Sequence, residues 1–326
     1  MEFLMLDWLG TPVWFWLAFA GLVAALTAFD LGVLHKEDRE MGIGESLKLS
    51  AFYIGIAMLF GAWIWVEKGA DLGMKYYTGF FIEKALSIDN VFVISLIFSF
   101  FAIPRMYQYR ALLWGILAVI VLRGLMIAGG AALVEQAYWV LYIFAAFLIA
   151  TGIRMLWVTD HAPDISKNPV VRWISTHMRV TKELHNEKFF VKVEDEKTGK
   201  LVRVATPLFL ALVVINLADL VFAVDSVPAI FAITTDTFIV YTSNIMAILG
   251  LRALYFALSA MVHRFHYLKY ALALVLVFIG AKIFISDFVL DGAKFPPVMS
   301  LGVTFALILS GIMWSLWKTR GAVPAR

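Results

Sequence analysis

Two short stretches carry the polar chemistry of this chain. The first is Phe80-Phe81-Ile82-Glu83-Lys84-Ala85-Leu86-Ser87-Ile88-Asp89-Asn90, and the second runs from Asp219 to Asp225 and Ser226. In each, two carboxylates stand six residues apart, and a small amide or hydroxyl residue follows the second one. Both stretches lie inside apolar runs long enough to cross a bilayer. A carboxylate at the centre of a membrane helix costs about 2.5–3.5 kcal/mol on insertion scales. A chain that accepts this cost repeatedly is using the groups, most simply to handle an ion.

Ligand type narrows the ion. The chain has no cysteine, and His35, His161, His177, His185, His263 and His266 all fall outside the apolar runs. The membrane therefore offers oxygen ligands plus a few methionine sulfurs such as Met246. Oxygen sites suit Mn²⁺, Ca²⁺ and Mg²⁺ rather than Zn²⁺ or Cu⁺. Four carboxylates exceed what a monovalent ion needs, so some of them could exchange protons instead.

Helical phase divides the constellation. Glu83, Ser87 and Asn90 share one face, and Asp219 shares one with Ser226. Asp89 is turned about 120° from Glu83. Either Asp89 and Asp225 face each other across a helix pair, or the helix breaks locally. Pro228 removes the hydrogen bond to the carbonyl of Val224, which favours a break near Asp225. Lys84, Arg123, Arg252 and Lys282 are also within the membrane, so purely structural ion pairs are the competing reading. Arg123 and Arg252 stand at matched positions after each motif. They are expected to set carboxylate charge or close gates rather than to touch a cation. Lys84 points to a different face from Glu83. Asp30, at the end of the first span, is either a mouth residue or an acid solvated near the headgroups.

The elements that must position these groups follow from composition. Of 326 residues, 62% are hydrophobic and 16% charged, and the mean hydropathy is +0.86. A soluble domain would carry about a quarter charged residues. The expected fold is an all-α membrane protein with about nine transmembrane helices: 11–34, 47–66, 75–101, 109–131, 137–157, 206–231, 238–262, 267–286 and 297–317. The first residues include Glu2 and Asp7 but no Lys or Arg, so no cleavable signal is expected. Lys and Arg concentrate on alternate loops, most densely from Lys167 to Arg203, which places the N-terminus outside and the C-terminus in the cytoplasm.

The chain divides into 1–157, a cytoplasmic insert at 158–205, and 206–326. In the insert, Asn168-Pro169 opens a short amphipathic helix, and the β-prone runs 189–193 and 201–204 flank a turn-rich linker, which predicts a β-hairpin. The insert is a connector or a partner-docking flap. Spans 3–5 (75–157) and 6–8 (206–286) read as two repeats. Besides the carboxylate pairs, Gly115 to Arg123 matches Asn244 to Arg252. Tyr142, Gly152 and Arg154 match Tyr270, Gly280 and Lys282. Three spans per unit force the second repeat to enter from the opposite side. This is the inverted arrangement of many secondary transporters, whose site lies near the midplane between repeats.

The segments Glu83 to Val93 and Asp219 to Ala232 resemble the two signature segments of the TerC/Alx family, within the wider LysE-type transporter superfamily. The resemblance extends over most of the chain, including Asn186-Glu187-Lys188-Phe189-Phe190-Val191. It implies an exporter of Mn²⁺, with Ca²⁺ as the alternative ion, in the bacterial inner membrane. The family's intramembrane acids carry over to Glu83, Asp89, Asp219 and Asp225. Asn90, Ser226, Asn244 and Asn216 complete the expected metal set. Asn216 stands where the family pattern has Glu, three residues before Asp219, so it offers an amide oxygen but no charge or proton.

Two other function classes compete with transport. One is a membrane scaffold that docks a protein partner or delivers metal to it through the insert. The other is an intramembrane aspartyl protease, which the sequences around Asp89 and Asp225 do not match; no HExxH occurs either. The chain is expected not to be an enzyme. Its expected partners are lipids, the divalent cation and a protein at the insert, with no nucleic acid.

Overall fold

The computed structural model describes residues 5–33, 42–137, 139–157, 180–181, 184–194, 201–258, 267–290 and 295–319. Ten helices are described: α1 (Val13–Val33), α2 (Ile43–Lys68), α3 (Ala70–Phe100), α4 (Arg105–Gln136), α5 (Val140–Trp157), α6 (Pro207–Phe231), α7 (Thr237–Leu249), α8 (Leu251–Leu258), α9 (Leu268–Phe288) and α10 (Pro297–Lys318). The short strands β1 (Asp7–Trp8) and β2 (Thr11–Pro12) pair ahead of α1. The chain is an all-α membrane protein. Seven of the described helices are long and apolar enough to span, and α7 with α8 makes an eighth if the bent pair is one span. Helix α3 stands outside that set for a reason visible in its residues. Any stretch of it of about 18–20 residues, the length a bilayer needs, contains Glu83 and Lys84 together with Lys75, Asp89 or both.

The break falls elsewhere than Pro228 suggests. Helix α6 runs unbroken to Phe231. Pro228 sits in its last turn, where few residues follow the lost hydrogen bond. Instead α7 ends at Gly250, and α8 continues at 40° to it. The ammonium of Lys84 donates to the Ala247 carbonyl at 3.1 Å. A cation there complements the negative end of α7.

Helices α5 and α9 pack most extensively. Their contact is built from two glycines used reciprocally. A Cβ on Gly152 would lie 2.7 Å from the Ala273 carbonyl and 2.7 Å from the Val277 side chain; one on Gly280 would lie 2.6 Å from the Ala145 carbonyl and 2.8 Å from the Ile149 side chain. Small residues let helix backbones meet where lipid supplies no hydrophobic drive. Gly79 does the same one turn before Glu83, because a Cβ there would meet the Ser243 hydroxyl of α7 at 2.8 Å. Apolar side chains of α1, α2, α3 and α7, including Phe15, Phe60, Tyr76 and Phe238, fill one end of the bundle.

Strands β3 (Phe190–Glu194) and β4 (Leu201–Ala205) pair antiparallel, with Phe190 opposite Ala205. The hairpin is fixed to the helices. Phe190 packs against Phe209 of α6, with ring centroids 4.5 Å apart and the planes tilted by 46°, and Arg110 of α4 pairs with Glu187 at 2.9 Å. Thr206 caps α6, accepting from the Phe209 amide while its hydroxyl donates to the Lys188 carbonyl. The segment expected to start a helix at 168–174 lies outside the described residues.

Candidate functional site

Four helices meet at one arginine. Arg123, on α4, is fully buried. Its Nε donates to Asp219 Oδ2 at 3.0 Å and its Nη2 to Asp219 Oδ1 at 2.9 Å, a two-pronged bond to α6. Its Nη1 donates to Glu83 Oε1 of α3 at 2.5 Å, to Asn244 Oδ1 of α7 at 3.0 Å and to Ser226 Oγ at 3.2 Å. Asn244 closes the ring by donating from Nδ2 to Glu83 Oε2 at 3.1 Å. Glu83 is 1% exposed and Asp219 8%.

Each side chain reaches this point through its helix. Glu83 follows Gly79 by one turn on α3, and Asn244 follows Ser243, which packs against Gly79, on α7, so the two side chains meet. Asp219 and Ser226 are seven residues apart on α6 and share its inner face. Ser87 and Asn90 are buried on α3, and the Ser87 hydroxyl is spent on the Glu83 carbonyl at 2.7 Å.

Charge and hydrogen bonding decide what the cluster can do. Two carboxylates against one guanidinium leave one negative charge over. An ion pair removed from water holds only when every lone pair and proton is satisfied. Here a planar guanidinium provides that on five acceptor atoms. All the acceptors are oxygens, which is the donor set of a hard cation. One acceptor lies spare. Asn216 sits one turn before Asp219 and gives its Nδ2 hydrogen to the Leu212 carbonyl at 2.8 Å. Its Oδ1 is buried without a partner.

The structure thus brings Glu83, Asp219, Ser226 and Asn244 together, with Asn216 on the adjacent turn and Asn90 buried further along α3. Asp89 lies within α3 and Asp225 within α6; their side chains lie outside the described residues. Among the described residues no three of His, Cys, Asp and Glu gather closely enough to hold a metal. The meeting point of the two acidic stretches is a pair of carboxylates joined by arginine.

The second matched arginine goes elsewhere. Arg252 of α8 pairs with Asp30 of α1. Its guanidinium lies 4.0 Å over the ring of Tyr109, whose hydroxyl donates to the Asp30 carbonyl at 3.0 Å. Asp30 is 5% exposed, so its carboxylate is held against Arg252 rather than solvated. Its type gave a signal, being one acid among apolar residues in the last turn of a span; its partner gave none.

At the end of the bundle where α3 and α10 begin, a cavity of about 360 Å³ is lined by Asp71, Lys75, Thr234, Lys282 and Asp287, among others. Lys75 is tied to Asp71 at 2.5 Å, and Asp287 accepts from the Tyr142 hydroxyl at 2.8 Å. Lys282 reaches only the Ser300 hydroxyl, at 3.5 Å, among the described residues.

Residues 68–322 match the model of the integral membrane protein TerC family. The chain belongs to the TerC family. Relatives of this TerC protein cover nearly all of it. A protein of Rickettsia bellii (strain RML369-C), named only as an uncharacterized membrane protein, is 49% identical over 301 residues, which is 92% of this chain and 96% of its own. "Putative membrane-bound redox modulator Alx" of Escherichia coli (strain K12) is 42% identical over 317 residues, 94% of this chain and 95% of its own. A membrane protein of Myxococcus xanthus is also 42% identical, over 307 residues. No solved structure matches.

Proposed function

We propose that this TerC protein is a secondary transporter that exports a divalent cation from the cytoplasm, with Mn²⁺ as cargo and Ca²⁺ as the alternative. The observation that carries the reading is the meeting of Glu83 and Asp219, from two helices distant in sequence, in a buried cluster of oxygen donors. The full ligand set proposed is Glu83, Asp89, Asn90, Asn216, Asp219, Asp225, Ser226 and Asn244. Those carboxylates that do not hold the ion exchange protons for it. The export direction and the choice of manganese rest on the family resemblance.

The architecture proposed is nine spans, with α7 and α8 as one broken span and α3 as the charged one. Spans 3–5 and 6–8 are inverted repeats. Support comes from the reciprocal α5–α9 contact, in which positions 145, 149 and 152 use the same atoms as 273, 277 and 280. A two-fold axis in the membrane plane produces such a pattern. On this reading the N-terminus is outside, the hairpin is cytoplasmic, and the cavity beside Lys282 opens outward. The membrane is the bacterial inner membrane. The hairpin is a connector that also offers a docking face for a protein partner.

The name of the Escherichia coli relative speaks of redox modulation. With no cysteine in the chain, thiol chemistry of its own is out of reach, and moving a redox-active cation such as manganese would meet that description.

The test is Mn²⁺ efflux from cells, or Mn²⁺ uptake into everted vesicles, carrying Asp89→Asn or Asp225→Asn, with membrane insertion checked separately. Both variants are expected to insert and to lose efflux; efflux unchanged in both would sink the site assignment.

A further inference from the structure

We propose that Arg123 is a tethered counter-cation: its guanidinium fills the site in the unloaded protein, and the cargo binds by displacing it. This rests on the reading of Glu83 and Asp219 as the cation site.

Arg123 engages both oxygens of Asp219, one of Glu83, the Ser226 hydroxyl and the Asn244 amide oxygen. A hard divalent ion would coordinate through those same lone pairs. A metal–oxygen bond and an N–H···O bond to the same lone pair exclude each other, and the two cations repel. The ion and the guanidinium are therefore alternatives.

Charge also favours the exchange. With Arg123 in place the two carboxylates keep one uncompensated negative charge. A divalent ion in its stead balances both. A monovalent ion would exchange one charge for one and surrender the fork of charge-assisted hydrogen bonds. The arginine thus sets a threshold that a divalent ion passes and sodium or potassium does not. It also spares the empty carrier two buried, unpaired carboxylates, each of which would be costly.

The cluster also holds oxygens that Arg123 does not use. Glu83 Oε2 accepts from Asn244 instead, and Asn216 Oδ1, buried one turn from Asp219, has no partner among the described residues. Both are available to a second occupant that draws on a larger ligand set. The matched Arg252 takes no part, being held by Asp30 and Tyr109.

The experiment titrates Mn²⁺ into the purified full-length protein, reading the free ion by its paramagnetic resonance signal, for wild type, Arg123→Gln and Arg123→Lys. Removing a competitor that occupies most sites tightens apparent binding in Arg123→Gln by about tenfold or more. Millimolar guanidinium is expected to weaken Mn²⁺ binding again in Arg123→Gln and to do nothing in wild type, while sodium becomes a competitor in the variant alone. Arg123→Lys keeps the charge without the fork and falls between the two, so it serves if Arg123→Gln does not fold. Equal or weaker Mn²⁺ binding in the folded variants, or no effect of guanidinium on Arg123→Gln, overturns the tethered competitor and leaves the cation site standing. Absence of Mn²⁺ and Ca²⁺ binding in all three proteins overturns the site reading and this inference with it.

Discussion

Arg123 of α4 grips Asp219 of α6 with two parallel hydrogen bonds, Nε to Oδ2 at 3.0 Å and Nη2 to Oδ1 at 2.9 Å, with both residues buried. The geometry is the planar fork that distinguishes arginine from lysine. It also ties α4 and α6 together at the level of Glu83.

Removing Asp219 leaves Arg123 paired with Glu83 but strips two of its buried N–H donors of their acceptors. Asp219→Ala is expected to cost about 1–3 kcal/mol of stability for each stranded donor, measured by thermal unfolding in detergent. Asp219→Asn keeps one acceptor and should lose less. Both variants should be inactive in Mn²⁺ efflux. An Asp219→Asn protein that exports at the wild-type rate would show that the carboxylate does not carry cargo.

The α5–α9 contact makes a sharper structural prediction. Gly152→Ala and Gly280→Ala each push a methyl group against a backbone carbonyl, at 2.7 and 2.6 Å. Backbone cannot swing aside, so the helices must part. Each variant should lose about 1–3 kcal/mol. Because one parting relieves both clashes, the double variant should lose less than the sum. Full additivity in a double-mutant cycle would contradict the shared contact.

Asp30 and Arg252 predict a similar coupling. Asp30→Asn and Arg252→Gln should each destabilise strongly, by about 3–5 kcal/mol, since each strands a buried charge. The double variant removes both charges and should recover part of the loss. Tyr109→Leu keeps the ion pair but loses the cation–π face and the hydroxyl bond to the Asp30 carbonyl, at a cost of about 1–3 kcal/mol. Unfolding midpoints of the four proteins decide it.

The hairpin should be separable from the membrane core. Thr206→Ala deletes the cap of α6 and the bond to the Lys188 carbonyl, costing about 0.5–2 kcal/mol. Glu187→Gln breaks a half-exposed ion pair with Arg110 and should cost no more than about 1 kcal/mol. Amide exchange at residues 186–194 should speed up in Thr206→Ala with Mn²⁺ efflux unchanged. A parallel fall in efflux would make the hairpin part of the transport machinery.

Much of this molecule is legible before folding. An all-α membrane protein follows from hydropathy, because a bilayer of fixed thickness demands apolar runs of fixed length. The glycines that weld α5 to α9 stand at matching places in the sequence. Of the two alternatives open for Asp225, Pro228 favours a helix break there, but a proline in a last turn interrupts little, and the chain bends instead at Gly250. Residue types set the chemistry available to the site: acids, amides and hydroxyls in apolar helices, with no cysteine.

Pairing was left to the tertiary structure. Arg123 is 40 residues from Glu83, 96 from Asp219 and 121 from Asn244, and local spacing says nothing about such distances. Four buried cations and several buried acids could be matched in many ways. Low dielectric makes each mismatch costly, so the packing of α3, α4, α6 and α7 had to settle on one. It assigned Arg123 to Glu83 and Asp219, Arg252 to Asp30, and Lys84 to the open end of α7. The sequence alone determined that charges would be buried, because the spans that carry them must cross lipid; only the packed helices decided which charge answers which.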